Sequence, residues 1–287
     1  MVNATSPLIS PEEVADRLRD PSLRIADVRW YLGQPHRGRR EYAAGHVPGA
    51  IFVDLETDLA ASEGPGRHPL PDPGAFAGRL AELGIGDQHE VVAYDDTGGT
   101  TAARLWWMLD DLGHPAVRVL DGGYSAWVKA GLLIETTVPD HPHASLTLSA
   151  SWRKVIDRDR LRPQLRRITL LDARADERYR GEVEPVDPVP GHIPSAISAP
   201  TSGNLGPDGR MLPAEELRRR FAAVCNPTRS TVTSCGSGVT ACHNALAMRV
   251  AGLPDPILYP GSYSDWSSSG APVATGEEPG KVPATGT

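Results

Sequence analysis

Lysine is scarce in this 287-residue chain. Lys129, Lys154 and Lys281 are the only lysines among 29 basic residues, set against 36 acidic ones for a net charge of −7. A chain of that sign carries no basic stripe for a phosphate backbone, which excludes nucleic acid and anionic membrane surfaces as expected partners. Cysteine is as sparse. Cys225, Cys235 and Cys242 are odd in number and lack C-x-x-C spacing, which argues against a disulfide framework and against a zinc site. A reducing, cytoplasmic compartment is expected. No run approaches the ~20 apolar residues of a membrane span, and residues 1–10 hold neither the basic nor the apolar part of a signal peptide. What remains is ordinary soluble composition, 40% hydrophobic and 23% charged, at a length that allows two domains with a core each.

The most informative stretch is Val232-Thr233-Ser234-Cys235-Gly236-Ser237-Gly238-Val239-Thr240-Ala241-Cys242-His243. A β-branched run enters it, and a helical stripe of Cys242, Ala245, Leu246 and Val250 leaves it. Strand, small-residue loop, helix is the predicted order, with Cys235 at the mouth of a helix N-terminus. Converging backbone N–H groups and the positive end of the helix dipole favour a thiolate there, so Cys235 is the candidate nucleophile. Cys242 falls on the buried face of the helix.

Four landmarks recur in order across the two halves. The strand Leu23–Arg29, ending Asp27-Val28-Arg29, matches Ile168–Arg174, ending Asp172-Ala173-Arg174. Gly45-His46-Val47-Pro48 matches Gly191-His192-Ile193-Pro194. The strand Val91–Tyr94 matches Thr231–Ser234, which sets Asp95 opposite Cys235. Gly122-Gly123-Tyr124-Ser125-Ala126-Trp127 matches Gly261-Ser262-Tyr263-Ser264-Asp265-Trp266. A period equal to a whole domain means duplication rather than a solenoid. Strands alternating with helices predict, in each half, a mostly parallel sheet flanked by helices, with ligands gathered at the carboxyl ends of the strands. The expected domains are 8–135 and 157–276, joined by a polar connector over 136–156. The tail after Ala271 is expected to pack little. Ser10-Pro11 reads as a helix start, His46 and His192 as braces of their turns, and Gly98-Gly99, which resembles an anion loop but lacks a nucleophile, as a turn.

This combination, the repeat with its Gly-His-x-Pro turns, the cysteine loop and the closing Gly-x-Tyr-x-x-Trp, resembles the tandem-domain rhodanese-like sulfurtransferases over residues 8 to 270. The resemblance implies a silent first domain, with Asp95 in place of cysteine, and a catalytic second domain. Its Cys-Gly-Ser-Gly-Val-Thr-Ala loop is similar to the 3-mercaptopyruvate branch; thiosulfate-preferring members carry basic residues just after the cysteine. It implies a persulfide on Cys235, a thioredoxin-like thiol or cyanide as acceptor, no cofactor or metal, and a monomer.

Carried over by position, the loop residues Gly236, Gly238, Val239 and Thr240 would contact the donor. Ser237 and His68 would relay a proton, with Glu56 where the family has an aspartate. Arg178 would hold the donor carboxylate. Val186 stands where the branch carries a second arginine, so one charged contact worth ~1.5–3 kcal/mol is missing unless Arg180 or Arg174 substitutes. Three other readings compete. A thiosulfate-preferring rhodanese is the nearest. A cysteine phosphatase would need arginine six residues after Cys235, where Ala241 stands. A non-catalytic binding module would need no cysteine.

Overall fold

The computed structural model describes residues 6–282, in two compact units. Unit 1 holds 6–61, 71–153 and 205–211; unit 2 holds 62–70, 154–204 and 212–282. The units are thus discontinuous in sequence. Residues 62–70 belong with the second half and 205–211 with the first, an exchange that no hydrophobic pattern announces.

Unit 1 is built on five parallel strands, β1 (Leu8–Ile9), β2 (Leu23–Asp27), β3 (Ile51–Phe52), β4 (Glu90–Tyr94) and β5 (Val117–Leu120), in the order β1-β5-β4-β2-β3. Val91 to Tyr94 are all buried, the unbroken apolar run expected of a parallel strand covered on both faces. The helix Pro11–Ala15 starts as the sequence predicts. Ser10 Oγ accepts the Glu13 N–H at 3.2 Å while the Glu13 carboxylate accepts the Ser10 N–H at 3.0 Å.

Unit 2 has four parallel strands, β6 (Thr169–Asp172), β7 (Ala196–Ser198), β8 (Thr231–Ser234) and β9 (Ile257–Leu258), in the order β7-β6-β8-β9. Val155 bridges Leu258 in the position that β1 takes in unit 1.

The landmarks recur because they touch. In unit 1 the Arg29 guanidinium grips Asp27, donates to the Gly45 carbonyl at 2.7 Å and lies 4.3 Å over the Tyr124 ring. In unit 2 Arg174 grips Asp172, donates to the Gly191 carbonyl at 2.7 Å and lies 3.9 Å over Tyr263. Each arginine ties a strand end, a Gly-His turn and the closing aromatic helix into one buried knot. The turn histidines are braces. His46 stacks on Tyr42 with its Nδ1 2.8 Å from the Tyr42 carbonyl, and His192 does the same on Tyr179 at 2.7 Å.

The connector, expected to be ordered or semi-flexible, is ordered as far as Arg153: Glu135 bridges His46, the Ser149 N–H donates to the Leu112 carbonyl at 2.9 Å, and Trp152 stacks on Trp107. One expectation changes. The tail packs as well. Trp266 Nε1 donates to the Pro272 carbonyl at 2.8 Å, Ala274 bridges His192, and Val282 lies against the core. Backbone pairing and a few isolated side chains, Trp152 and Val282 among them, hold these polar stretches, and neither leaves a periodic pattern in the sequence.

Candidate active site

Cys235 follows β8 directly, at the carboxyl end of the sheet, and is 2% exposed. Its N–H donates to Ser262 Oγ at 3.0 Å, and its carbonyl accepts the Tyr263 N–H at 3.0 Å. The Gly236 carbonyl accepts the Ser264 N–H at 2.9 Å, so the closing helix Ser262–Ser268 pins the loop. Gly238 must be glycine: its φ is +75°, and a Cβ would run into the Pro260 carbonyl. Val239 and Thr240 then lead into the helix Ala241–Val250. Cys242 is fully buried on that helix, its Sγ 3.4 Å from the Gly238 carbonyl. Cys225 follows the helix Ala214–Val224, and burial pushes its thiol up against the opposing hydrogen bond to Thr231.

The equivalent loop of unit 1 shows what this backbone path holds. Asp95 Oδ1 accepts the N–H groups of Thr97 and Gly99, both at 2.8 Å; Oδ2 accepts those of Thr101 at 2.7 Å and Ala102 at 2.9 Å, and the Thr101 hydroxyl at 2.9 Å. Gly98-Gly99 is therefore more than a turn: it belongs to an anion cradle filled by the chain's own carboxylate. Gly98 has φ +74°, the counterpart of Gly238. By that correspondence the N–H groups of Ser237, Val239 and Ala241 are the counterparts that an anion on Cys235 would meet, whereas the Cys242 N–H donates to the Val239 carbonyl at 3.1 Å.

His68 lies in unit 2 and is buried, with Nδ1 2.7 Å from Ser237 Oγ. Its loop approaches through Gly66, whose Cβ would meet Ser264 Oγ at 2.8 Å, and through the Arg67 N–H, which donates to that same oxygen at 3.1 Å. Glu56 lies in unit 1, exposed, with its carboxylate accepting the Trp30 indole N–H at 3.0 Å.

Arg178, on the helix Asp176–Arg180, donates to Glu184 at 2.7 Å and to Asp187 at 3.1 Å. It faces Gly236, with Nη1 3.5 Å from where a Cβ on that glycine would sit. Burial would raise Glu184, but Arg178 and the N–H groups of Asp187 and Val186 hold it below the usual carboxylate range. Burial does raise Asp187, helped by Glu184, against the pull of Arg67 and Arg178. Sequence reasoning missed Arg67, Glu184 and Asp187 as members of this cluster. The one available signal was that Arg67 precedes His68.

Among the described residues, no group of three or more His, Cys, Asp or Glu side chains is placed to hold a metal, and no helix is long and apolar enough to cross a membrane.

The Rhodanese-like domain family matches this chain twice, over residues 10–130 and 157–269. A probable 3-mercaptopyruvate sulfurtransferase of Pseudomonas aeruginosa is 45% identical over 283 residues, covering 96% of this chain and all of that protein. A putative thiosulfate sulfurtransferase of Mycobacterium tuberculosis is 41% identical over 270 residues, covering 91% of this chain and 94% of that protein. The crystal structure of Escherichia coli SseA, a 3-mercaptopyruvate sulfotransferase with the rhodanese fold, superposes with a TM-score of 0.80 at 31% identity, over 91% of this chain and 100% of that one. Two parallel sheets with the same knot, one ending in a filled cradle and one in a cysteine, have these relatives because the chain belongs to the rhodanese-like family as a tandem of two such domains.

Proposed function

We propose that this sulfurtransferase takes the sulfur of 3-mercaptopyruvate onto Cys235 and passes it to a thiol acceptor. The Cys235 thiolate attacks the donor sulfur, the carbon–sulfur bond breaks, and its electron pair leaves on the carbon as the enolate of pyruvate. The proton of the donor thiol ends on that carbon. Cys235 is left as a persulfide anion, and the loop N–H groups are its counterpart to the Asp95 cradle. A thiolate of a thioredoxin-like protein, or cyanide, then attacks the outer sulfur and restores Cys235. The chain needs no redox partner for the first half of this cycle. Action as a monomer in a reducing cytoplasm belongs to the same reading.

The observation that carries the choice of donor is the 2.7 Å approach of His68 Nδ1 to Ser237 Oγ. A mercaptopyruvate thiol has a proton to relocate as its carbon–sulfur bond breaks, which gives a hydroxyl–imidazole pair a task. Thiosulfate has none. The loop after Cys235 also lacks the basic residues that the resemblance associates with thiosulfate preference. The resemblance adds Glu56 as the acid of the relay. Incubating the protein with each donor and reading the gain of one sulfur atom by intact mass tests the proposal. Persulfide from mercaptopyruvate is expected to form far faster than from thiosulfate, and the reverse order would overturn it.

A further inference from the structure

We propose that Arg67 is the second cation of the donor site and that, with Arg178, it holds the anionic end of the donor; this rests on the function proposed above. Val186 stands where the resemblance implies a second arginine. It sits on a bend, 38% exposed, with its N–H donating to Glu184 Oε1 at 3.1 Å. The two arginines nearest in sequence are committed elsewhere. Arg180 pairs with Glu182 at 2.8 and 2.9 Å. Arg174 has a 2% exposed side chain, and its fork is filled by Asp172, Glu184 and the Gly191 carbonyl.

Arg67 is placed differently. Its backbone is anchored on Ser264, and its Nη1 pairs with Asp187. Its Nη2 lies 2.8 Å from the point that a Cβ on Gly236 would occupy, and Arg178 Nη1 lies 3.5 Å from the same point. Two guanidinium groups therefore converge on the residue that follows the nucleophile. Within the described residues neither of those two nitrogens makes a hydrogen bond. Arg67 Nε is buried and also has no partner there. A buried donor left unsatisfied is unfavourable, and an arriving carboxylate oxygen would relieve it. Asp187, with its side chain 2% exposed, touches both guanidinium groups and is the residue that positions them. A carboxylate with two oxygens suits two forks better than one.

The test compares 3-mercaptopyruvate with its neutral methyl ester, which keeps the thiol and the ketone but loses the charge. In Arg67→Leu the acid-to-ester ratio of kcat/KM is expected to fall about tenfold or more, one decade being about 1.4 kcal/mol. The fall should appear in KM for the acid rather than in kcat. Arg67→Lys, which keeps the charge but not the fork, should fall between. Arg67→Leu/Asp187→Asn neutralises the buried acid that the single change leaves with Arg178 alone and, since Asp187 also positions Arg178, should show a fall at least as large, so instability of the single variant does not decide the matter. A ratio within twofold of wild type in either leucine variant overturns the role of Arg67 and leaves the sulfurtransfer reading standing. Wild-type protein that gains no sulfur from mercaptopyruvate would overturn the reading itself.

Discussion

The imidazole of His68 meets the hydroxyl of Ser237 at 2.7 Å, two residues beyond the nucleophile and inside a site where both side chains are buried. A positioned acid–base pair of this kind contributes about 10²-fold or more to a step that moves a proton. Ser237→Ala and His68→Asn should therefore each slow persulfide formation from mercaptopyruvate by about that factor, and the double variant should be little worse than either. Single-turnover loss on thiosulfate should be much smaller, since no donor proton moves. Equal losses on both donors would assign the pair to the loop's shape.

Cys235→Ser should abolish the gain of one sulfur atom and all turnover, whereas Cys225→Ser and Cys242→Ser should keep most of it. Only Cys235 sits in the loop between strand end and helix start; Cys242 is buried on the helix and Cys225 lies after another helix. Sulfur gained by the Cys235→Ser protein would move the nucleophile elsewhere.

Asp95→Ala separates structure from catalysis. Its carboxylate is the acceptor of four backbone N–H groups and one hydroxyl, all buried or partly buried. Losing it should cost about 3 kcal/mol of stability, measured by denaturant unfolding. Sulfur transfer by the folded variant should stay within a few-fold of wild type. A loss of activity as deep as that of Cys235→Ser would mean that the first half is not silent.

Asp187 gives a prediction in pH. Burial raises it, with Glu184 adding to the rise and Arg67, Arg178 and Arg174 opposing it. The folded protein thus holds this proton more tightly than the unfolded chain. Ionising it costs stability: nothing below the ordinary carboxylate value of about 3.9, more as pH climbs from there through the raised folded value, and a constant amount above. In Asp187→Asn that cost never arises. The Tm of the variant relative to wild type should therefore improve as pH rises through this window. A relative Tm that worsens over that window would show a depressed group instead.

Much of this was legible in the residues. Asp27, Arg29, Gly45 and Tyr124, and their counterparts Asp172, Arg174, Gly191 and Tyr263, stand out in sequence because each set makes one buried knot. The same residue types make the same contacts in both units. The strand–loop–helix around Cys235 was legible for a similar reason, since small residues there answer a local backbone need. Arg67 and Asp187 were not, because an ion pair 120 residues apart leaves no local period. Nor was the packing of the tail, held in part by main-chain bonds such as that from the Ser195 N–H to the Pro279 carbonyl at 2.6 Å and in part by single apolar side chains such as Val282, which form no period.

The aspartate built into the loop of unit 1 also sets a stoichiometry. That loop already has a covalently tethered tenant, so added sulfite or another small anion finds it taken at every concentration. Titrations with such ions, and sulfur loading from any donor, should saturate with one equivalent per chain at the cysteine loop, in a protein whose architecture is written twice.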